Sequence, residues 1–77
     1  MIAIKTQEDE IIFNPARIYA ISNYGDYKVV AVDAHKKEHI LGIYPTFKRA
    51  NEEVYCIFQT IDAQAEPVAY AMSEGDE

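Results

Sequence analysis

The stretch ILGIYPTFKRANEE, Ile40–Glu53, joins a short apolar run to a charged, helix-favouring segment through Pro45 and Thr46. Proline has no N–H to give a ladder and holds the residue before it extended, so a strand ends at Tyr44. Thr46 stands where an N-cap is needed. Its hydroxyl can accept from an amide of the first helical turn, and the helix begins behind it. At about 100° per residue, Phe47, Ala50, Val54, Ile57, Phe58 and Ile61 fall within an arc of about 100°, the width of a core-facing stripe. Lys48, Glu52, Tyr55 and Gln59 lie opposite. Arg49–Glu53 and Lys48–Glu52 are four apart with the base first, the weaker orientation, and contribute only about 0.2–0.5 kcal/mol each. Packing must therefore hold this helix, which should stop near Gln64, before Pro67.

Upstream, Ile2 and Ile4 share a face of MIAIK, TQEDE is polar enough to turn, and IIF resumes the apolar pattern. These read as strands over 1–5 and 10–13, the second broken by Asn14-Pro15. RIYAISN and YKVVAVD flank a Gly25-Asp26 reversal, the clearest hairpin signal in the chain. AHKKE turns again into HILGIY. Short strands at near-regular spacing favour antiparallel pairing over βαβ units. The expected architecture is α+β: an antiparallel meander of about five short strands, one amphipathic helix packed on it, and VAYAM (68–72) as either a C-terminal edge strand or an ordered extension. Residues 1–72 form one domain, and 73–77 are expected to be a flexible acidic tail.

Composition narrows the functions. Seventy-seven residues make one domain, and a chain this short buries only about 60 % of its unfolded surface. A lone cysteine, Cys56, precludes an internal disulfide, and no Cys/His framework offers structural zinc, which fits a reducing cytoplasm. No export signal or membrane span is visible. The formal charge is −6, from 13 acids and seven Lys and Arg. Removing Glu74, Asp76 and Glu77 leaves 13 − 3 = 10 acids, so residues 1–73 carry −3. Such a chain is repelled by a phosphate backbone, and direct nucleic-acid binding is not expected.

Few residues point to chemistry. His35 and His39 have an i, i+4 spacing that could hold a divalent metal, with Asp33 and Glu38 as further ligands, but they lie between two strand patterns, so a solvated turn is the expected reading. Cys56 has no activating base near it in sequence. Ser22, Thr6 and Thr60 lack a base-and-orienter arrangement, and no phosphate loop, nucleophile elbow or dinucleotide fingerprint is present. Acids at Glu8, Asp9, Glu10, Asp26, Asp33, Glu52 and Glu53 read as solvated turns and an outer helix face. No enzyme, cofactor or catalytic residue is expected. The six tyrosines stand out more. Tyr19, Tyr44 and Tyr70 suit the edge of a small core, while Tyr24, Tyr27 and Tyr55 suit contact with a partner.

Three marks, IIFN at 11–14, IYAI at 18–21 and LGIYPTFKRA at 41–50, resemble a set of short uncharacterised proteins of Gram-positive bacteria and their phages or prophages. The last is similar to a Leu-Gly-x-Tyr-x-Thr motif followed by two variable residues and Arg-Ala, matched by Leu41, Gly42, Tyr44, Thr46, Arg49 and Ala50. The chain departs from the set at Glu53, where an apolar residue is expected, and in PVAYAM and the acidic tail. The resemblance implies antiparallel strands and one packing helix; it brings no activity or cofactor. The layout is also similar to a shortened pleckstrin-homology-like module, a likeness that transfers no function.

The expected function is that of a small acidic, non-enzymatic interaction protein, encoded by a phage or mobile element, that binds a host protein and inhibits a defence nuclease or its regulator. Its acids would occupy a groove rich in Lys and Arg. The expected contacts are Tyr24, Asp26, Tyr27, Glu52, Tyr55, Glu74, Asp76 and Glu77. The alternative is a homo-oligomer that binds a nucleotide-like ligand between subunits. There Arg17, Lys28, His35, Lys36, Lys37, His39 or Arg49 would meet the anion. A third expectation is assembly through the edge near Val68–Met72.

Overall fold

The computed structural model describes residues 1–23, 25–63 and 67–73. Turn chemistry sets the elements in order: β1 (Ile2–Lys5), β2 (Ile11–Phe13), β3 (Arg17–Asn23), β4 (Asp26–Val32), β5 (Glu38–Tyr44), α1 (Phe47–Ala63) and β6 (Val68–Ala71). The reversals are made where short polar residues and glycine tolerate positive φ, at Asp9, Asn14 and Gly25, with Lys36 the less usual occupant. Thr46 caps α1, its Oγ1 accepting from the Arg49 amide at 3.1 Å.

The strands form two three-stranded sheets, β2-β1-β6 and β3-β4-β5. The α+β class and the C-terminal edge strand are those expected. The antiparallel meander runs through β3, β4 and β5, while β1 and β2 form a hairpin in the other sheet. Asn14 and Pro15 carry the chain between them. Asn14 Oδ1 accepts from the Ile2 amide at 2.9 Å, and its own amide donates to the Ile2 carbonyl, so the break closes the end of β1. β6 pairs parallel with β1, Ile2 opposite Val68 and Lys5 opposite Ala71, a pairing that no local pattern announces.

The core lies between the sheets and α1, built from Ile4, Val29, Ala31, Leu41, Tyr44 and Ile57 with their neighbours. A bulge in β5 shapes it: Val29 faces Gly42 and Val30 faces Ile40, so Leu41 is the extra residue. Leu41 is consequently buried, while Ile43, which a regular strand would set on the same face two positions on, is 44 % exposed.

The helix is turned about its axis from its expected setting. Its buried residues are Ala50, Glu53 and Ile57. Phe47 and Phe58, assigned from periodicity to the core, stand in solvent, Phe58 at 62 % exposure. Glu53, expected on the outer face, is among the most buried side chains of the molecule. On the projection it lies only about 40° beyond Ile57, so a small rotation brings it inside. The rotation is stabilised by the partners that await it.

Candidate partner-binding surfaces

Ser73 is the hub of a hydrogen-bonded cluster that joins α1, β5, β6 and the β1–β2 turn. Glu53 Oε1 accepts from Ser73 Oγ at 2.7 Å and from Arg49 Nη1 at 3.1 Å. Glu53 Oε2 accepts from the Tyr70 hydroxyl at 2.7 Å and from the Ser73 amide at 3.1 Å. Arg49 also donates to Ser73 Oγ and stacks its guanidinium 5.0 Å from the centre of the Tyr44 ring. The Ser73 carbonyl accepts from Gln7 Nε2 at 2.8 Å and from the Tyr44 hydroxyl at 3.1 Å. Ser73, assigned by composition to the mobile tail, is therefore tied to α1, β5 and the β1–β2 turn.

The protonation of this cluster follows from its geometry. Burial pushes the Glu53 carboxyl up, but the hydrogen bonds from Ser73, Tyr70 and Arg49 together outweigh it and hold the group below its ordinary value. Burial, reinforced by the Glu53 charge, pushes the Tyr44 hydroxyl up to about 12 and the Tyr70 hydroxyl higher still. The cluster is an ionised carboxylate with every described polar atom satisfied. Its hydrogen bonds clamp α1, β5, β6 and the β1–β2 turn together at Ser73.

The clamp positions the first exposed face. Gln7 also accepts from the Ile43 amide through Oε1 at 2.9 Å, and its own amide donates to the Leu41 carbonyl at 2.9 Å. Gly42 makes this approach feasible, since a Cβ there would meet Gln7 Cδ at 2.8 Å. Thr6, buried beside it, accepts at Oγ1 from the Glu8 and Glu10 amides and so shapes the turn. Between turn and strand lies a cleft of about 420 Å³. Glu8, Glu10 and Glu38 line it with Lys37, and Ile40 and Ile43 present their side chains to solvent.

The second face is an apolar groove of about 530 Å³ where α1 overhangs β3. Ala16 and Ile18 form one wall, and Val54, Tyr55, Phe58 and Ile61 the other. Phe47 continues the overhang, its ring 6.1 Å from that of Tyr27 in an edge-on contact.

The expected contact residues that are described lie on two elements, α1 and β4. Glu52 and Tyr55 are exposed on α1, Asp26 is exposed where β4 begins, and Tyr27 is partly buried against the core. Tyr24, Glu74, Asp76 and Glu77 lie outside the described residues. Of the cations of the ligand-binding alternative, His35, Lys36, Lys37 and His39 lie at the β4–β5 turn, while Arg17 and Arg49 are engaged on other elements. Arg49 serves the clamp, and Arg17 stacks 4.9 Å over the Tyr19 ring, whose hydroxyl donates to Glu38. His39 Nε2 lies 2.9 Å from Asp33 Oδ2. Asp33 Oδ1 accepts from the His35 and Lys37 amides, and the His39 contact first, then these amides, holds the Asp33 carboxyl down at about 2. His35 and His39 thus belong to a carboxylate-organised turn. Among the described residues, no group of three or more His, Cys, Asp or Glu could hold a metal.

Sequence reasoning missed Ile40, Ile43 and Glu38 as a surface because the bulge at Leu41 decides which way they point. The doublet Leu41-Gly42 inside a strand was the available signal. Among the described residues, no helix is long and apolar enough to cross a membrane. No protein-family model, curated protein or solved structure matches the chain.

Proposed function

We propose that this chain is a non-enzymatic interaction protein that binds a host protein through the cleft between the β1–β2 turn and β5. The observation that carries this reading is the cleft's composition: exposed Ile40 and Ile43 beside Glu8, Glu10 and Glu38, with Lys37 the opposing ammonium. Apolar anchors rimmed by acids suit a partner surface of aliphatic side chains rimmed by Lys and Arg. Such a surface occurs where a protein grips nucleic acid. Occupying it would block a nuclease or its regulator, and the resemblance to short phage proteins is what supports reading the binder as phage or mobile-element encoded.

The test is affinity capture from bacterial lysate, identification of the captured protein and titration calorimetry of the purified pair. Ile43→Lys should weaken binding about 30-fold. Glu8→Gln/Glu10→Gln should weaken it and flatten its dependence on salt. A partner whose affinity ignores both variants, or whose bound surface is acidic, overturns the proposal.

A further inference from the structure

We infer that the protein self-associates as a two-fold dimer through the free edge of β3, with the two α1 helices packing against each other above the joint. β3 is an edge strand of seven residues, and among the described residues nothing pairs with its outer side. Its pairing to β4 is regular throughout, with no bulge to twist it away. Arg17 is its single charged residue, so it lacks the devices that ordinarily protect an edge.

The strand is complementary to itself. A two-fold axis through Ala20, its middle residue, pairs all seven positions antiparallel with those of a second copy. Tyr19 then faces Ile21 of the second copy on the outer side of the sheet, an aromatic and β-branched pair of the favourable kind. On the inner side Ala20 faces its own counterpart, and Ile18 faces Ser22. The small residue at the axis leaves room for the helices.

The helix fits the same symmetry. α1 packs chiefly over β3 and β4, so its axis stands about half a strand spacing inside the edge. Joining two edges brings the helix axes to about 10 Å, the separation at which helices pack. α1 runs antiparallel to β3. Phe47 stands by Tyr27, whose strand partner is Ser22, while Ile57 and Phe58 stand by Ala16 and Ile18. The axis through Ala20 therefore sets Phe47 of one copy toward Phe58 of the other.

The exposed rings supply about half of the area such an interface needs. Phe47, Tyr55 and Phe58 are 46, 59 and 62 % exposed, which at about 200 Å² per aromatic side chain leaves roughly 300 Å² of ring surface per copy. Two copies bring roughly half of the 1,200 Å² at which stable interfaces begin, and the paired strands supply more. The charge of −6 on each chain opposes association, so added salt should tighten the dimer.

Sedimentation velocity over a concentration series tests this, paired with amide exchange at high and low concentration. The wild type should reach twice the 8.8 kDa of the chain, with β3 amides slowed only in the dimer. Phe58→Glu, at a solvent-facing position, should retain its circular dichroism and dimerise about 30-fold more weakly. Ser22→Lys should do the same from the strand side, and Ile43→Glu, in the cleft, should leave the dimer unchanged. A chain that stays at 8.8 kDa at millimolar concentration refutes the inference. So does a dimer indifferent to Phe58→Glu and Ser22→Lys, or one whose β3 amides exchange equally on dilution.

Discussion

Replacing Glu53 by alanine should be the most damaging single change available in α1. The carboxylate is 2 % exposed and accepts from Arg49, Tyr70, the Ser73 amide and Ser73 Oγ. Truncation strands the Arg49 cation and removes an acceptor from three further donors. Breaking a buried pair in this way costs about 3–5 kcal/mol, against a total of about 4–12 kcal/mol for a domain of this length. At about 5 °C per kcal/mol, the melting temperature should fall about 15–25 °C. Glu53→Gln keeps the shape and one acceptor oxygen, and should cost about 1–3 kcal/mol. Thermal and urea unfolding followed by circular dichroism measure both. The pH dependence carries an independent signature. Because the folded-state pKa of Glu53 is lowered from 4.5, its contribution is complete above that value and is lost as pH falls through the lowered one. Glu53→Gln should lack that acid-side loss. Arg49→Met/Glu53→Leu/Tyr70→Phe together should recover much of the stability, since removing every charge leaves none stranded. An alanine variant within a few degrees of wild type would refute the reasoning and show that Ser73 is held by other means.

Thr46→Ala removes the acceptor for the Arg49 amide and should cost about 1 kcal/mol in urea unfolding, with partner affinity unchanged. Gly42→Ala drives a Cβ against Gln7, breaks its bonds to Ser73 and Ile43, and should cost about 1–3 kcal/mol by the same measurement. Asp33 has its folded pKa depressed from 3.8 to about 2, so its support of the β4–β5 turn is present above 3.8 and lost between those values. Amide exchange at His35 and Lys37 should accelerate over that window, and Asp33→Ala should show the fast rates at neutral pH.

Local chemistry was legible and non-local pairing was not. Pro45-Thr46, Asn14-Pro15 and Gly25-Asp26 located breaks to within a residue or so, because each acts through φ, a missing N–H or a cap within its own turn. The split into two sheets depends on β1 choosing β6, and four residues of alternating pattern carry no address for a distant partner. Helix periodicity gave the existence of α1 but set its buried face off-centre. Hydrophobicity counts Glu53 as an outside residue until Arg49, Tyr70 and Ser73 are seen to solvate it. The cleft was illegible for a related reason: one inserted residue, Leu41, reverses the strand's alternation and turns Ile40 and Ile43 outward.

The parallel pairing of β1 with β6 also has a consequence during synthesis. Ile2–Lys5 leaves the ribosome early, yet its second neighbour, Val68–Ala71, is translated only after every other strand. Until then the β1–β2 hairpin has one face of Ile4 and Ile12 without its final cover, and an isolated hairpin is marginal in water. The meander and helix can gather as soon as they emerge. A ribosome stalled before Val68 thus holds a chain in which the β6-facing edge of β1 is unpaired. Until β6 docks, that edge of β1 is open to pairing with other strands, a hazard that the docked β6 removes.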